Sequence, residues 1–149
     1  TNRIMIKIIC LGKIKEPYLN ELIDDYQKRI SKYHKLEIIE LKDTNNLEEE
    51  RDNILKHIGN QDYVISLDID GKEFDSVSLS KVIDNAFMTN GTITFIIGSS
   101  YGLHEDIKNK SNLRLSFARL TFPHGLFRGI LLEQIYRSFK ILNNETYHK

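Results

Sequence analysis

The chain has 149 residues, of which 40% are hydrophobic and 28% are charged, as is usual for one globular domain with its own core. Lys and Arg total 21, as do Asp and Glu, and this zero net charge argues against a general nucleic-acid binder. No apolar run approaches the ~20 residues that cross a bilayer, and the single cysteine excludes an internal disulfide framework. We therefore expect one domain over residues 1–149 in the reducing cytoplasm, without membrane association. Residues 1–4 precede Met5 and are set aside as a remnant foreign to the domain.

Apolar runs and helical periodicities alternate along the first half of the chain. The β-branched run over residues 4–11 predicts a buried strand, and Pro17 opens a helix that continues to about residue 31. Residues 36–41 form a second predicted strand. Asn45 or Asn46 then caps a polar helix through residue 58, which Gly59 ends.

The same alternation continues to the C-terminus. Strands are predicted over residues 63–67, 92–97 and 113–117, and helices begin at Ser78 or Ser80, at His104 and at Phe127. Residues 68–72 read as a turn by composition, and residues 98–102 as a glycine-punctuated loop. Strands that alternate with helices predict an α/β fold, with a mostly parallel sheet flanked by helices.

The last predicted helix, residues 127–142, is apolar on more than one side. Such a helix needs two partners, of which its own sheet is one and a second copy of the chain is the candidate for the other. A two-fold interface across this helix is one arrangement that would cover its second side. The two stripes consist of Phe127, Leu131, Ile135 and Leu142, and of Leu132, Tyr136 and Phe139.

Three turns follow predicted strands, at residues 67–72, 98–102 and 116–124. In open α/β sheets, ligands bind beyond the carboxyl ends of the strands, and glycine lets the backbone approach a ligand. Ordinary turn chemistry is the alternative, since neither GxGxxG nor a Walker lysine pattern is present. No metal site is expected, because Val77 stands where a calcium loop needs Glu and the histidines lack ligand spacing.

Basic residues are concentrated in the last third of the chain. Residues 111–149 carry six basic and two acidic side chains, whereas residues 1–110 have a net charge of −4. This asymmetry suits a local contact with phosphates, with chance as the alternative. The closing Tyr147-His148-Lys149 carries an aromatic, a titratable and a cationic group that can meet a substrate, with a frayed tail as the alternative.

Six motifs occur in a specific order: KIICLGKIKE (7–16), LDxxGK (67–72), FxIGxxxG (95–102), LSxxxxTFPH (115–124), LxEQxYR (131–137) and the closing YHK (147–149). Together they resemble the ribosomal RNA large-subunit methyltransferase H family of the SPOUT methyltransferases. The chain departs from that pattern at Ser99, at Gly125 and at Asn143-Asn144.

The resemblance implies a homodimer built around a C-terminal trefoil knot. It also implies methyl transfer from S-adenosylmethionine to N3 of a pseudouridine in large-subunit (23S) ribosomal RNA, on assembled ribosomes. A SPOUT enzyme for another RNA such as tRNA, and a non-catalytic ribosome-binding module, are the alternatives.

The resemblance also assigns roles to residues of this chain. It implies that Tyr147 and His148 are catalytic and that Arg128, Arg137 and Lys149 contact RNA, with the dimer rim as the alternative for Arg128 and Arg137. The implied cofactor positions are Leu67, Gly98, Phe117, Ala118, Arg119, Leu120, Thr121 and Phe122.

Overall fold

The structure is a computed structural model that describes residues 5–148, so residues 1–4 and Lys149, with the predictions made for them, lie outside the described residues. Five parallel strands form one sheet in the order β2-β1-β4-β3-β5. The predicted α/β class is confirmed. No helix among the described residues is long and apolar enough to cross a membrane.

The strands are β1 (Met5–Leu11), β2 (Lys35–Leu41), β3 (Tyr63–Glu73), β4 (Thr92–Ile97) and β5 (Leu113–Ser116). The helices are α1 (Pro17–Ser31), α2 (Leu47–Leu55), α3 (Ser76–Asn90), α4 (Glu105–Lys110) and α5 (His124–Leu142).

Helices cover both faces of the sheet. Successive side chains of a strand point to opposite faces, so Ile8 and Cys10 join the cluster beneath α1, α3 and α5, while Ile9 and Leu11 join the cluster beneath α2 and α4. Burial raises the pKa of the Cys10 thiol to about 11, which keeps it protonated. The buried, neutral Cys10 side chain therefore fits the apolar character of β1.

The central residues of both apolar stripes of α5 are buried inside a single chain, while Phe127 and Leu142 at the ends of the first stripe are half-buried. Leu131, Leu132 and Ile135 are fully buried, because α5 packs against the sheet and between α1 and α3. A Cβ at Gly129 would lie only 2.8 Å from Leu22 Cδ2, so this glycine allows α1 to approach α5 closely. The second stripe therefore does not require a second copy, and the homodimer stays a prediction.

The prediction that β3 ends before a turn at residues 68–72 is wrong, because β3 continues to Glu73. Leu67 and Lys72 both lie opposite Leu115 of β5, so the residues between them bulge out of the strand. Asp68 Oδ1 accepts a hydrogen bond from the Asp70 amide, as in a turn. The turn residues thus form a bulge within a strand.

Three helix boundaries also differ from the prediction. Helix α2 ends at Leu55, three residues early. Helix α3 begins at Ser76 because Asp75 caps it, with Oδ1 accepting from the Ser78 amide at 2.7 Å. Helix α5 begins at His124, so the Pro-His-Gly segment starts the helix.

Arg128 does not occupy the exposed position that an RNA contact needs. Its side chain is 2% exposed and forms an ion pair with Glu40 of β2, while Nη2 donates to the Gly12 carbonyl at 3.1 Å. Arg128 therefore joins α5 to the ends of two strands, and its predicted phosphate contact does not fit the structure.

Replacing Arg128 with Ala should lower the free energy of unfolding by about 3 kcal/mol, near the lower end for breaking a buried ion pair because Glu40 keeps part of its hydration. Arg29→Ala is the control, since Arg29 pairs with Asp25 on the surface, and it should lower the free energy of unfolding much less than Arg128→Ala. Urea denaturation followed by circular dichroism measures both. Equal losses would contradict the structural role of Arg128.

Candidate active site

Three loops meet at the carboxyl edge of β3, β4 and β5 and enclose a cavity of about 500 Å³. They are the bulge after Leu67, the turn at residues 98–102 and the segment 117–123 between β5 and α5. Parallel strands place their carboxyl ends together, which explains why three segments that are separated by helices in the sequence meet here. The volume lies within the roughly 300–1,000 Å³ that is usual for small-molecule sites.

Seven of the eight cofactor positions implied by the resemblance line this cavity. Arg119 is the exception, since its side chain is exposed and is not part of the lining. Leu120 is 72% exposed, which places it at the mouth of the cavity rather than in its wall. The lining positions are Leu67, Gly98, Phe117, Ala118, Leu120, Thr121 and Phe122.

Aromatic rings form one wall of the cavity. Phe127, from the first turn of α5, lies with its ring centroid 5.3 Å from that of Phe117 and 5.7 Å from that of Phe122. Leu67 and Leu103 add apolar surface. These groups favour a flat, largely apolar ligand moiety such as a heteroaromatic ring.

In the turn after β4, position 98 has room for a glycine only. A Cβ at this position would lie 2.5 Å from the carbonyl oxygen of Gly102. The turn is closed by a hydrogen bond of 2.9 Å from the Gly102 amide to the Ser99 carbonyl, and Gly102 has a φ of +82°. The close return of the chain therefore excludes any side chain at position 98.

Sequence reasoning assigned no role to three charged residues that line the cavity, Asp68, Asp70 and Lys108. Lys108 Nζ lies 3.6 Å from Asp68 Oδ2, and the Asp68 side chain is only 5% exposed. Asp68 falls within the LDxxGK motif, whereas nothing in the sequence signals that Lys108 of α4 reaches the site. Within residues 5–148, no group of three or more His, Cys, Asp or Glu side chains is arranged to hold a metal ion.

The C-terminal tail packs back on its own helix. Asn144 adopts a left-handed backbone conformation (φ 56°) just after α5 and reverses the chain. The Tyr147 hydroxyl donates to Glu133 Oε2 at 2.8 Å, and the Tyr147 ring lies 5.0 Å from that of Tyr136 and beneath the Arg137 guanidinium. Burial, followed by the hydrogen bonds of the Tyr147 hydroxyl with Tyr26 and Glu133, raises the pKa of Tyr147. The ring is therefore fully engaged in this conformation.

His148 lies beside the cavity but does not line it. The Arg137 guanidinium contacts His148 Nδ1 at 3.1 Å. His148 lines a second cavity of about 600 Å³, which shares Leu115, Phe117 and Phe122 with the first. One aromatic wall thus separates His148 from the predicted cofactor site.

Comparison with known proteins agrees with this geometry. A family model described as Predicted SPOUT methyltransferase matches residues 4–148. A Clostridium botulinum (strain Kyoto / Type A2) protein named ribosomal RNA large subunit methyltransferase H is 49% identical, over 97% of this chain and 99% of its own length. The protein of that name from strain Loch Maree is 47% identical over the same share of both chains.

Two solved structures share the fold at low sequence identity. The crystal structure of the SpoU methyltransferase AviRb from Streptomyces viridochromogenes, in complex with AdoMet, has a TM-score of 0.51 and 9% identity, over 93% of this chain and 59% of that one. A probable methylase family protein from Haemophilus influenzae has a TM-score of 0.56 and 12% identity, over 97% of this chain and 70% of its own. The chain is therefore a member of the SPOUT methyltransferase family and, within it, of the ribosomal RNA large subunit methyltransferase H family.

Proposed function

We propose that this protein transfers a methyl group from S-adenosylmethionine to N3 of a pseudouridine in 23S ribosomal RNA, on assembled ribosomes in the cytoplasm. The observation that carries the proposal is the cavity in which three loops bring together Leu67, Gly98 and the 117–122 segment. The near full-length similarity to named ribosomal RNA methyltransferases supports the choice of substrate.

The cavity offers suitable groups for each part of S-adenosylmethionine. Leu67 and Phe122 provide apolar surface for the adenine, with Leu120 at the mouth of the cavity, and the backbone near Gly98 provides hydrogen-bonding groups. Asp68 and Lys108 match the opposite charges of the methionine amino and carboxylate groups. The bound molecule supplies a methyl group on a cationic sulfur, so the protein mainly needs to align the acceptor, which can contribute ~7–11 kcal/mol.

The N3–H group must lose its proton as the methyl group arrives, and we assign this proton to His148. A guanidinium can only donate, so Nδ1 of His148 accepts from Arg137, and a neutral ring then carries its proton on Nε2. Nδ1 becomes available as a base when Arg137 exchanges His148 for an RNA phosphate. Arg137 thus couples RNA contact to proton transfer, and Lys149 adds a further cation.

We propose that the active form is a homodimer with a trefoil knot near its C-terminus, as membership of the family suggests. In the single chain, Tyr147 is held by Glu133 and by the rings around it, so it cannot stack on a base without movement of the tail. In the proposed dimer, the partner's tail meets this chain's cavity and supplies Tyr147 and His148, once Tyr147 has left Glu133 of its own helix. The acceptor base then lies between two protomers.

Methyl incorporation from labelled S-adenosylmethionine tests the proposal directly. Whole ribosomes from cells that lack this protein should take up label at one pseudouridine, whereas separated subunits and free ribosomal RNA should not. Label in tRNA alone would indicate a different SPOUT reaction. Failure to bind S-adenosylmethionine would favour a non-catalytic ribosome-binding module and refute the enzymatic proposal.

Gly98→Ala should raise the Kd for S-adenosylmethionine at least tenfold, because the added Cβ meets the Gly102 carbonyl and displaces the turn. Isothermal titration calorimetry measures the change. Gly91→Ala is the control: Gly91 has a positive φ (+81°) and lies at the opposite end of β4 from the cavity, so stability falls while the Kd stays constant. An unchanged Kd in Gly98→Ala would argue against this cavity as the cofactor site.

His148→Ala should lower kcat on saturating ribosomes by about 10²–10⁴-fold, as expected for loss of a general base. The Kd for S-adenosylmethionine should stay constant, because His148 does not line the cofactor cavity. His148→Gln serves as the control for hydrogen bonding without proton transfer, and should be as slow as His148→Ala. Wild-type turnover in either variant would remove His148 from the mechanism.

A further inference from the structure

A buried carboxylate lies directly behind the turn at residues 98–102. Glu50 is only 2% exposed, although it belongs to the polar helix α2 and follows two exposed glutamates. Its Oε1 accepts from the Ser99 hydroxyl at 3.2 Å, and its Oε2 accepts from the Thr44 amide at 3.1 Å. Glu50 therefore joins the loop before α2 to the turn that lines the cavity.

Ser99 extends this link into the turn. Its hydroxyl donates to Glu50 and accepts from the Tyr101 amide at 3.3 Å, while its carbonyl accepts from the Gly102 amide. The hydroxyl thus uses its donor and an acceptor at the same time. Displacing the turn would break both hydrogen bonds.

Burying a carboxylate is unfavourable unless hydrogen bonds replace its hydration. Burial is the main cause that raises the pKa of Glu50, with the Asp43 carboxyl acting in the same direction, whereas the bonds from Thr44 and Ser99 lower it. Glu50 therefore depends on these two donors, and the turn is in turn held by Glu50. The hydrogen bonds that link Glu50, Ser99 and the turn are strongest when the turn keeps its observed shape.

We propose that Glu50 is a positioning residue, which holds the turn at residues 98–102 in the shape that binds the cofactor and acts through the Ser99 hydroxyl. Glu50 itself does not line the cavity. The consequence for cofactor affinity rests on the proposed function. The consequence for the turn does not, so the two can be tested separately.

Hydrogen exchange of the ligand-free protein tests the hold on the turn. In Ser99→Ala and in Glu50→Gln, the amides of Tyr101 and Gly102 should exchange at least tenfold faster, while amides in the centre of β4 keep their protection. Glu49→Gln is the matched control, because Glu49 is the exposed neighbour on the same helix. Unchanged exchange at Tyr101 in both variants would overturn the proposal.

A double-mutant cycle on the Kd for S-adenosylmethionine tests the effect on binding. Each single variant should raise the Kd about tenfold, which corresponds to ~1.4 kcal/mol. Because both changes break the same link, the double variant should be at most about twofold weaker than either single variant. Glu49→Gln should leave the Kd unchanged.

The outcomes separate three cases. A lower unfolding midpoint with an unchanged Kd in both single variants would make Glu50 merely structural and refute the proposal. Fully additive effects would refute an action through Ser99. If the wild-type protein does not bind S-adenosylmethionine, the proposed function fails, and exchange at Tyr101 still decides whether Glu50 holds the turn.

Discussion

The burial of α5 against the sheet, α1 and α3 is the constraint on which the rest of the structure depends. Because Leu131, Leu132 and Ile135 are fully enclosed, the rotation of this helix about its axis is fixed. That rotation directs Phe127 into the proposed cofactor cavity and Arg137 towards the tail. One set of apolar contacts therefore positions both halves of the proposed active site.

Much of the fold could be predicted, because patterns of apolar residues report directly on burial. Strand β4 and helix α1 have the predicted bounds, since β-branched runs and a proline in the first turn are strong local signals. The bulge in β3 could not be predicted, because the turn residues Asp68 and Asp70 look the same whether the chain reverses or bulges. Likewise, periodicity shows that both stripes of α5 are buried but not which elements bury them.

The candidate site was predictable where motifs carry it and not where tertiary contacts create it. The segment from Phe117 to Phe122 was found through its motif. Arg128 has the same charge whether it contacts a phosphate or Glu40, so only the structure distinguishes the two. The burial of Glu50 has one sign in the sequence, its i, i+4 spacing to Ile54, which places both residues on the same face of α2. A carboxylate is not expected on a buried face unless its hydrogen-bond partners are known.

The wall shared by the two cavities has a thermodynamic consequence. Phe117 and Phe122 face both spaces, so a ligand that moves these rings in one cavity changes the shape of the other. Linkage requires that such an effect be reciprocal: an occupant of one cavity changes the affinity of the other cavity for its ligand by the same factor as the reverse. Two aromatic side chains can thus couple the two cavities of a domain this small, and the sign of the coupling determines whether their occupants assist or exclude one another.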